Sequence, residues 1–116
     1  MTIPRLSFAD MQQNILGKTY DLSLAFVTPA QSKKIATQYK HKSYEANVLS
    51  FRLSKNSGEI IICPSVAKRQ AKDFDTDYRG MIARLFIHGC FHLKGQTHGS
   101  TMESNERRML RTYGFR

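Results

Sequence analysis

The sequence predicts an α+β fold, a single domain over residues 1–116 in which a small mixed sheet of three to four strands packs with about five helices. Two observations lead to this prediction. A length of 116 residues is enough for one hydrophobic core and too short for two. Hydrophobic residues make up 41% of the chain and charged residues 23%, and both strand-like and helix-like patterns occur along it.

The first elements are predicted from alternation and from residues that cap helices. A short helix over residues 10–16 follows Ser7 as its N-cap and ends at Gly17. Apolar and polar residues then alternate over residues 22–28, which predicts a strand. The Thr-Pro pair at the end of this strand favours a helix that reaches about residue 39.

Two apolar runs in the middle of the chain predict a β-hairpin. Residues 47–53 and 59–63 are rich in β-branched and apolar side chains, which are frequent in strands. The loop between them, residues 54–58, consists of turn-forming residues. A Pro-Ser pair then begins a helix over residues 64–74.

The last part of the chain is predicted to be helical. An acidic break at residues 73–77 precedes a long helix over residues 78–93. Ser100 and Glu103 have the spacing of a capping box and predict a final helix that ends near Gly114.

The charge of the chain favours a polyanionic partner. Eighteen Lys and Arg residues stand against nine Asp and Glu residues, for a net charge of +9. No apolar run approaches the roughly 20 residues of a membrane span, and the N-terminus lacks the pattern of a secretory signal. We therefore expect no membrane partner and a cytoplasmic location. Cys63 and Cys90 lie in apolar stretches and are expected to be free core thiols.

Three of the four histidines lie in one segment with the spacing H-x3-H-x2-G-x2-H, formed by His88, His92, Gly95 and His98. Histidines four residues apart lie on one face of a helix, with Cβ atoms roughly 5–6 Å apart, and can bind one ion. A glycine just after the helix can turn the chain so that the third histidine reaches the same ion. Three histidines leave one position open for water. The segment predicts one catalytic Zn²⁺ per chain at the end of a central helix.

The histidine spacing allows two other interpretations. His88 and His92 share a helical stripe with Met81 and Leu85, so they could be hydrogen-bonded core residues, but this leaves the third histidine unexplained. A zinc peptidase is the other interpretation, because metzincins have similar spacing. Those proteases place their general base, a glutamate, directly after the first histidine, and here that position is Gly89. Hydrolysis by zinc-activated water is expected, with a substrate other than a peptide.

Further segments accompany the histidines in a fixed order. Asn-Val-Leu-Ser-Phe at residues 47–51, Gly-Glu-Ile-Ile-Ile-Cys at 58–63, the histidine segment at 88–98 and then Glu103 resemble the YbeY endoribonucleases over about residues 22–113. The resemblance implies an α+β fold, a zinc ion held by the three histidines, and cleavage of single-stranded RNA. It also implies rRNA maturation, notably at the 3′ end of small-subunit rRNA. RNA and the small ribosomal subunit are the expected partners, with no DNA specificity.

A non-catalytic, ribosome-associated protein with a structural metal is the alternative from a different class. It predicts that removal of His92 unfolds the domain, whereas the enzyme hypothesis predicts a folded, inactive variant.

Three positions depart from the usual pattern of the family. Lys40 stands where an arginine is usual. It keeps the positive charge without bidentate phosphate recognition, and it is predicted to stabilise charge on the phosphate during cleavage. Glu59 replaces an aspartate. Thr97 replaces the aspartate before the last histidine, which removes a carboxylate from the neighbourhood of the metal.

A few other polar residues are candidates for contact with RNA or for the general base. His41 is expected to face solvent or RNA. Glu103 and Glu106 are candidates for a general base, although a capping position explains Glu103 structurally. Glu59 is a further candidate if its strand faces the zinc.

The acidic break and three aromatic residues could also take part in binding. The three aspartates within residues 73–77 could bind a second cation, but solvated loop charges and a helix start are expected. Tyr39, Tyr44 and Phe51 could stack on bases near the site, and the two tyrosines are the better exposed candidates.

Overall fold

The computed structural model describes residues 2–115 as five α-helices, one short 3-10 helix and three strands. In chain order these are α1 (Phe8–Leu16), β1 (Asp21–Phe26), α2 (Pro29–Lys40), β2 (Val48–Ser54), β3 (Ser57–Ile62), α3 (Pro64–Gln70), the 3-10 helix (Ala71–Phe74), α4 (Tyr78–Leu93) and α5 (Ser100–Thr112). The architecture is α+β, as the sequence predicts. None of these helices is long and apolar enough to cross a bilayer.

The three strands form one mixed sheet in the order β1-β3-β2. β1 runs parallel to β3, with Leu24 opposite Ile60, and β2 runs antiparallel to β3, with Ser50 opposite Ile60. The predicted hairpin is confirmed. Its strands are longer at the turn than predicted, because Ser54 and Ser57 pair and their hydroxyl oxygens lie 2.6 Å apart.

The two faces of the sheet pack against different helices. Ile60 and Ile62 join the main core, which includes Phe86 of α4, and both isoleucines are fully buried. Ile61 points the other way and packs with Ala36 of α2. This alternation follows from the period of two along a strand. Each such isoleucine contributes about 1.5–3 kcal/mol by leaving water.

α4 is the central helix of the domain. Eleven of its 16 residues are buried, and it packs against β2, β3, α1, α3 and α5. Asp77 caps its N-terminus by accepting a hydrogen bond from the backbone N–H of Gly80 at 2.8 Å. One aspartate of the acidic break is therefore the N-cap of α4. Cys63 and Cys90 are buried and free, as expected.

The N-cap residue was predicted correctly at two helices and wrongly at one. Thr28 and Gln31 form a complete capping box at the start of α2. Ser7 is the N-cap of α1, as predicted, although its side chain makes no capping hydrogen bond. The predicted capping box at the start of α5 is absent, because Gly99 is the N-cap and Ser100 already lies within the helix. The backbone N–H of Glu103 donates to the Gly99 carbonyl, so the helix begins one residue earlier than the pattern indicates.

Candidate metal centre

The exposed side of α4 carries the first two histidines. Between residues 80 and 93, the residues of α4 that are not buried are Arg84, His88 and His92, which are spaced four apart. Met81 and Leu85 lie on the buried side, with relative exposures of 0% and 5%. The interpretation of these histidines as core residues is therefore wrong, since the stripe they occupy faces a groove.

The end of α4 explains how the third histidine joins them. Gly95 has a φ of 104°, in the region that favours glycine, and its N–H donates to the carbonyl of His92 at 3.0 Å. The N–H of Gln96 donates to the carbonyl of Phe91 at 3.0 Å, which completes a Schellman motif. The chain turns back at this point. The ring of His98 then lies 5.1 Å from that of His88 and 4.6 Å from that of His92, between centroids.

The side-chain nitrogens of the three histidines converge. One ring nitrogen from each of His88, His92 and His98 lies within 4.8 Å of the other two. Within residues 2–115 this is the only group of three or more His, Cys, Asp or Glu side chains arranged to hold a metal ion. The three aspartates of the acidic break do not form a second such group in that part of the chain.

Hydrogen bonds indicate which ring nitrogen of His88 and of His92 carries a proton. Nδ1 of His88 lies 2.6 Å from a carboxylate oxygen of Glu106, and Nδ1 of His92 lies 3.2 Å from the carbonyl oxygen of Gln96. A carboxylate and a carbonyl can only accept, so both Nδ1 atoms donate. In the neutral rings, both Nε2 atoms are therefore unprotonated and available as ligands.

These two Nε2 atoms face each other at 3.1 Å. Two lone pairs at this distance repel unless a cation lies between them. A proton can bridge only two nitrogens, whereas a metal ion can bind those of His88, His92 and His98 together. For Zn–N bonds of about 2.0–2.1 Å in tetrahedral geometry, ligand nitrogens lie about 3.3–3.4 Å apart. The His88–His92 pair already has nearly this separation, and His98, which is exposed, can move to complete the set.

The environment of His92 favours its neutral form. Burial lowers the pKa of His92, and the neighbouring His88 and His98 lower it further. A metal binds only the neutral imidazole, so this shift keeps His92 competent to bind.

Glu106 is the carboxylate that contacts the candidate metal centre. It lies in α5, it is largely buried, and it contacts His88 although 18 residues separate the two in sequence. The sequence marked Glu106 only as a candidate general base, because its contact with His88 depends on how α5 packs on α4. Glu103, one turn earlier, is exposed. Glu106 therefore places a carboxylate beside His88, although Thr97 offers none.

Glu59 does not lie on the side of the sheet that faces the histidines. It alternates with Ile60, which packs on α4, and shares its face with Ile61, which packs on α2. Its proposed role as a general base is therefore not supported by its position. His41 is exposed at the C-cap of α2, with a φ of 56°, and lies outside the three-histidine group.

A cationic groove runs beside the histidines. Its volume is about 610 Å³. The polar and aromatic side chains that line it are Lys40, Lys42, Tyr44, Asn47, Ser50, Arg52, His88, His92 and His98. No acidic residue within residues 2–115 lines it. The structure therefore brings Lys40 and the three histidines to one groove.

Arg52 lines the cationic groove but was not predicted from the sequence. The side chains of Val48 and Ser50 are on the α4 side of the sheet, since Ser50 donates to the carbonyl of Gly89 at 3.4 Å. Arg52 follows at the next position of this alternation. The period of two along residues 47–53 could have identified it.

The aromatic candidates divide into two groups. Tyr44 is 58% exposed and lines the cationic groove. Tyr39 is exposed but lies edge-on against Phe51, with 5.9 Å between ring centroids, outside that groove. The Lys40 ammonium lies 4.9 Å above the ring of Phe51, which holds the lysine at the groove edge.

Gly89 is packed against the sheet. A Cβ atom at this position would lie 3.0 Å from Ile60 Cδ1 and 3.1 Å from Ser50 Oγ. The position that carries a catalytic glutamate in metzincins is therefore closed by β2 and β3 in this fold.

The fold and the histidines define a small α+β protein with a centre that could hold a metal ion. Comparison with known proteins identifies its family. The family model described as endoribonuclease YbeY matches residues 5–114. The chain belongs to this family.

Individual relatives agree with this assignment. The chain is 33% identical over 97 residues to an endoribonuclease YbeY of Bdellovibrio bacteriovorus, covering 82% of this chain and 62% of the relative. It is 32% identical over 107 residues to that of Pseudomonas putida, covering 81% and 68%, and 32% identical over 111 residues to that of Neisseria meningitidis serogroup B, covering 82% and 66%. The chain thus spans about two thirds of the length of these relatives.

The fold is also similar to a solved structure. The solution structure of TM1509 from Thermotoga maritima superposes with a TM-score of 0.64 at 21% identity, covering 87% of this chain and 72% of that one. This likeness supports the α+β architecture.

Proposed function

We propose that the chain is a zinc-dependent endoribonuclease that cleaves single-stranded RNA. The observation that carries the proposal is the convergence of His88, His92 and His98, with the Nε2 atoms of His88 and His92 3.1 Å apart. Membership in the endoribonuclease YbeY family supports RNA as the substrate. The absence of acidic side chains among the described residues that line the cationic groove supports a polyanion there.

The three histidines would hold one zinc ion through nitrogen atoms, the ligands that catalytic zinc sites commonly use. When bound, zinc supplies a water of lowered pKa and a Lewis acid for the phosphodiester. Glu106 holds the ring of His88 in the orientation and tautomer that binding requires.

The groove residues position the RNA. Lys40 and Arg52 line this groove. In the proposal they would bind the phosphate that is cleaved, and Lys40 would stabilise the negative charge that develops on it. Lys42 adds charge for the neighbouring backbone. Tyr44, which is exposed at the groove, would stack on an unpaired base, and this favours single-stranded over paired RNA.

The biological substrate we propose is ribosomal RNA, in particular the 3′ end of small-subunit rRNA. This follows from the family pattern at residues 47–51, 58–63 and 88–98, and it makes the small ribosomal subunit a partner and the cytoplasm the location. We expect no specificity for DNA, because the groove offers charge and stacking rather than base readout.

Cleavage of defined substrates tests the activity. A 5′-labelled single-stranded oligoribonucleotide, its duplex and casein are incubated with the zinc-loaded protein. We expect cleavage of the single strand, weaker cleavage of the duplex and none of casein. EDTA should abolish cleavage and added Zn²⁺ should restore it. Cleavage of casein alone would refute the proposal and favour a peptidase.

The metal is tested separately. Elemental analysis of the purified protein should find about one zinc per chain. His92→Ala should lose the metal and the activity while its circular dichroism spectrum stays that of a folded protein. Tyr39→Leu, which lies outside the groove, is the matched control and should keep both. Unfolding of the His92 variant would favour a structural metal over a catalytic one.

A further inference from the structure

A second pocket lies on the other side of the metal centre. Its volume is about 470 Å³, within the range of about 300–1,000 Å³ typical of ligand pockets. It shares Asn47, Val48, His88 and His98 with the cationic groove, so the two cavities adjoin at these residues. A strand bound across the histidines would enter both.

The two cavities differ in charge. Among the described residues, the cationic groove is lined by three basic side chains and no acidic ones. In the second pocket, Arg84 and Arg107 are joined by Asp75, Glu103 and Glu106. Carboxylates repel a phosphate but accept hydrogen bonds from the N–H groups of a base edge. The second pocket is therefore suited to a nucleobase and poorly suited to the backbone.

Apolar surface in the second pocket supports this assignment. Met81, Leu85 and Leu110 line it but are almost fully buried, so Phe74 supplies most of the accessible apolar surface. Phe74, at its edge, is 45% exposed although it is a large apolar residue. An exposed aromatic ring at the edge of a pocket is a stacking surface for a planar ligand.

Arg84 extends this stacking surface. Its guanidinium lies 4.9 Å from the centroid of the Phe74 ring, and it precedes His88 by one turn on the exposed side of α4. No ion pair with Arg84 occurs within residues 2–115. The plane of a guanidinium stacks on rings as an aromatic side chain does, so a base could stack against Arg84 or against the opposite face of Phe74, one turn from the candidate metal centre.

We propose that the second pocket binds one unpaired nucleobase next to the phosphate that is cleaved, with Phe74 and Arg84 as its stacking surface. The proposal rests on the proposed function. The cationic groove then holds the backbone on the other side of the histidines, so the RNA crosses the metal centre in one direction, with one base inserted at the second pocket.

Abasic scanning of RNA tests this subsite. A fluorescent 12-nucleotide single-stranded RNA is prepared together with a series in which one nucleotide at a time lacks its base. Binding is measured by fluorescence polarisation in EDTA, so that the RNA stays intact, and cleavage is mapped separately with zinc. We expect removal of one base beside the mapped cleavage site to weaken binding about 5- to 100-fold, as is typical for loss of base–aromatic stacking.

Phe74→Leu decides whether that base occupies the second pocket. The variant should bind the intact RNA more weakly by a similar factor, and removal of the same base should then cost it less than about twofold. Phe74 is half exposed, so the variant should fold, which thermal unfolding checks. Tyr39→Leu is the control, since it removes an exposed aromatic ring outside both cavities and should keep the wild-type profile.

The outcomes separate this proposal from the proposed function. If the wild-type protein cleaves RNA and the profile of Phe74→Leu equals that of the wild type, the base subsite is refuted and the endoribonuclease stands. If the wild-type protein neither binds nor cleaves RNA, the proposed endoribonuclease function is refuted, and the base subsite, which rests on it, is refuted with it. Loss of the single-base effect in Phe74→Leu alone supports the subsite.

Discussion

Replacement of Glu106 by alanine should weaken metal binding without unfolding the protein. The carboxylate accepts a hydrogen bond from Nδ1 of His88 at 2.6 Å and thereby keeps Nε2 of that ring unprotonated. In the variant, His88 can rotate or change tautomer, and a negative charge near the cation is lost. Such supporting carboxylates are worth about 10- to 100-fold in metal affinity, or about 1.4–2.7 kcal/mol.

The affinity is measured by competition with a chromophoric zinc chelator at pH 7.5. Glu106→Gln keeps an oxygen that accepts a hydrogen bond, so its affinity should lie between those of the wild type and Glu106→Ala. Glu103→Gln is the matched control, because it removes the same charge one turn earlier on the same helix, from an exposed side chain. Its affinity should change less than about threefold.

Two results would refute this reasoning. One is an affinity of Glu106→Ala within twofold of the wild type, which would mean that the contact with His88 does not support the metal. The other is an equal loss in Glu103→Gln and Glu106→Ala, which would mean that only net charge matters. Circular dichroism of the metal-free variants checks that each is folded.

Three further predictions follow from the site. Gly89→Glu should not create a peptidase and should destabilise the protein by about 3 kcal/mol or more in urea unfolding, since a side chain there meets the sheet at 3.0 Å; a stable variant that cleaves casein would contradict this. The metal-free protein should lose stability as the pH falls from about 6.5 to the lowered pKa of His92, because the unfolded chain takes up that proton first. His92→Gln should remove this part of the pH dependence, and unchanged curves would contradict the cause. Lys40→Met should lower kcat for RNA cleavage by about 10²- to 10³-fold, whereas Lys40→Arg should keep most of it; equal activity of Lys40→Met and the wild type would exclude a role for this lysine in cleavage.

Local signals predicted most of the secondary structure. The start of α2 at Thr28-Pro29, the hairpin strands and the long helix α4 depend on residues close in sequence, and each was identified. The predicted start of α5 was wrong. Gly99 and Ser100 are adjacent, and the turn after His98 makes Gly99 rather than Ser100 the residue before the helix. A short capping pattern does not contain that information.

The candidate metal centre was predictable for a similar reason. His88 and His92 lie on one face because a helix has 3.6 residues per turn, and the Schellman turn at Gly95 is itself a local feature. The other residues around the histidines could not be predicted from local patterns. Arg52 joins the site only because β2 packs on α4, and Glu59 is excluded from it because the neighbouring Ile60 takes the inner face of β3.

By itself, therefore, the sequence determined the α+β class, the central helix and the convergence of three histidines, because periodicity and a glycine turn act over about ten residues. The tertiary structure alone decided which other side chains surround those histidines. Glu106 contacts His88 although the two lie 18 positions apart in sequence. The pocket of Phe74 and Arg84 forms where the 3-10 helix, α4 and α5 come together. Contacts between elements depend on packing and chain direction in three dimensions, which no local pattern records.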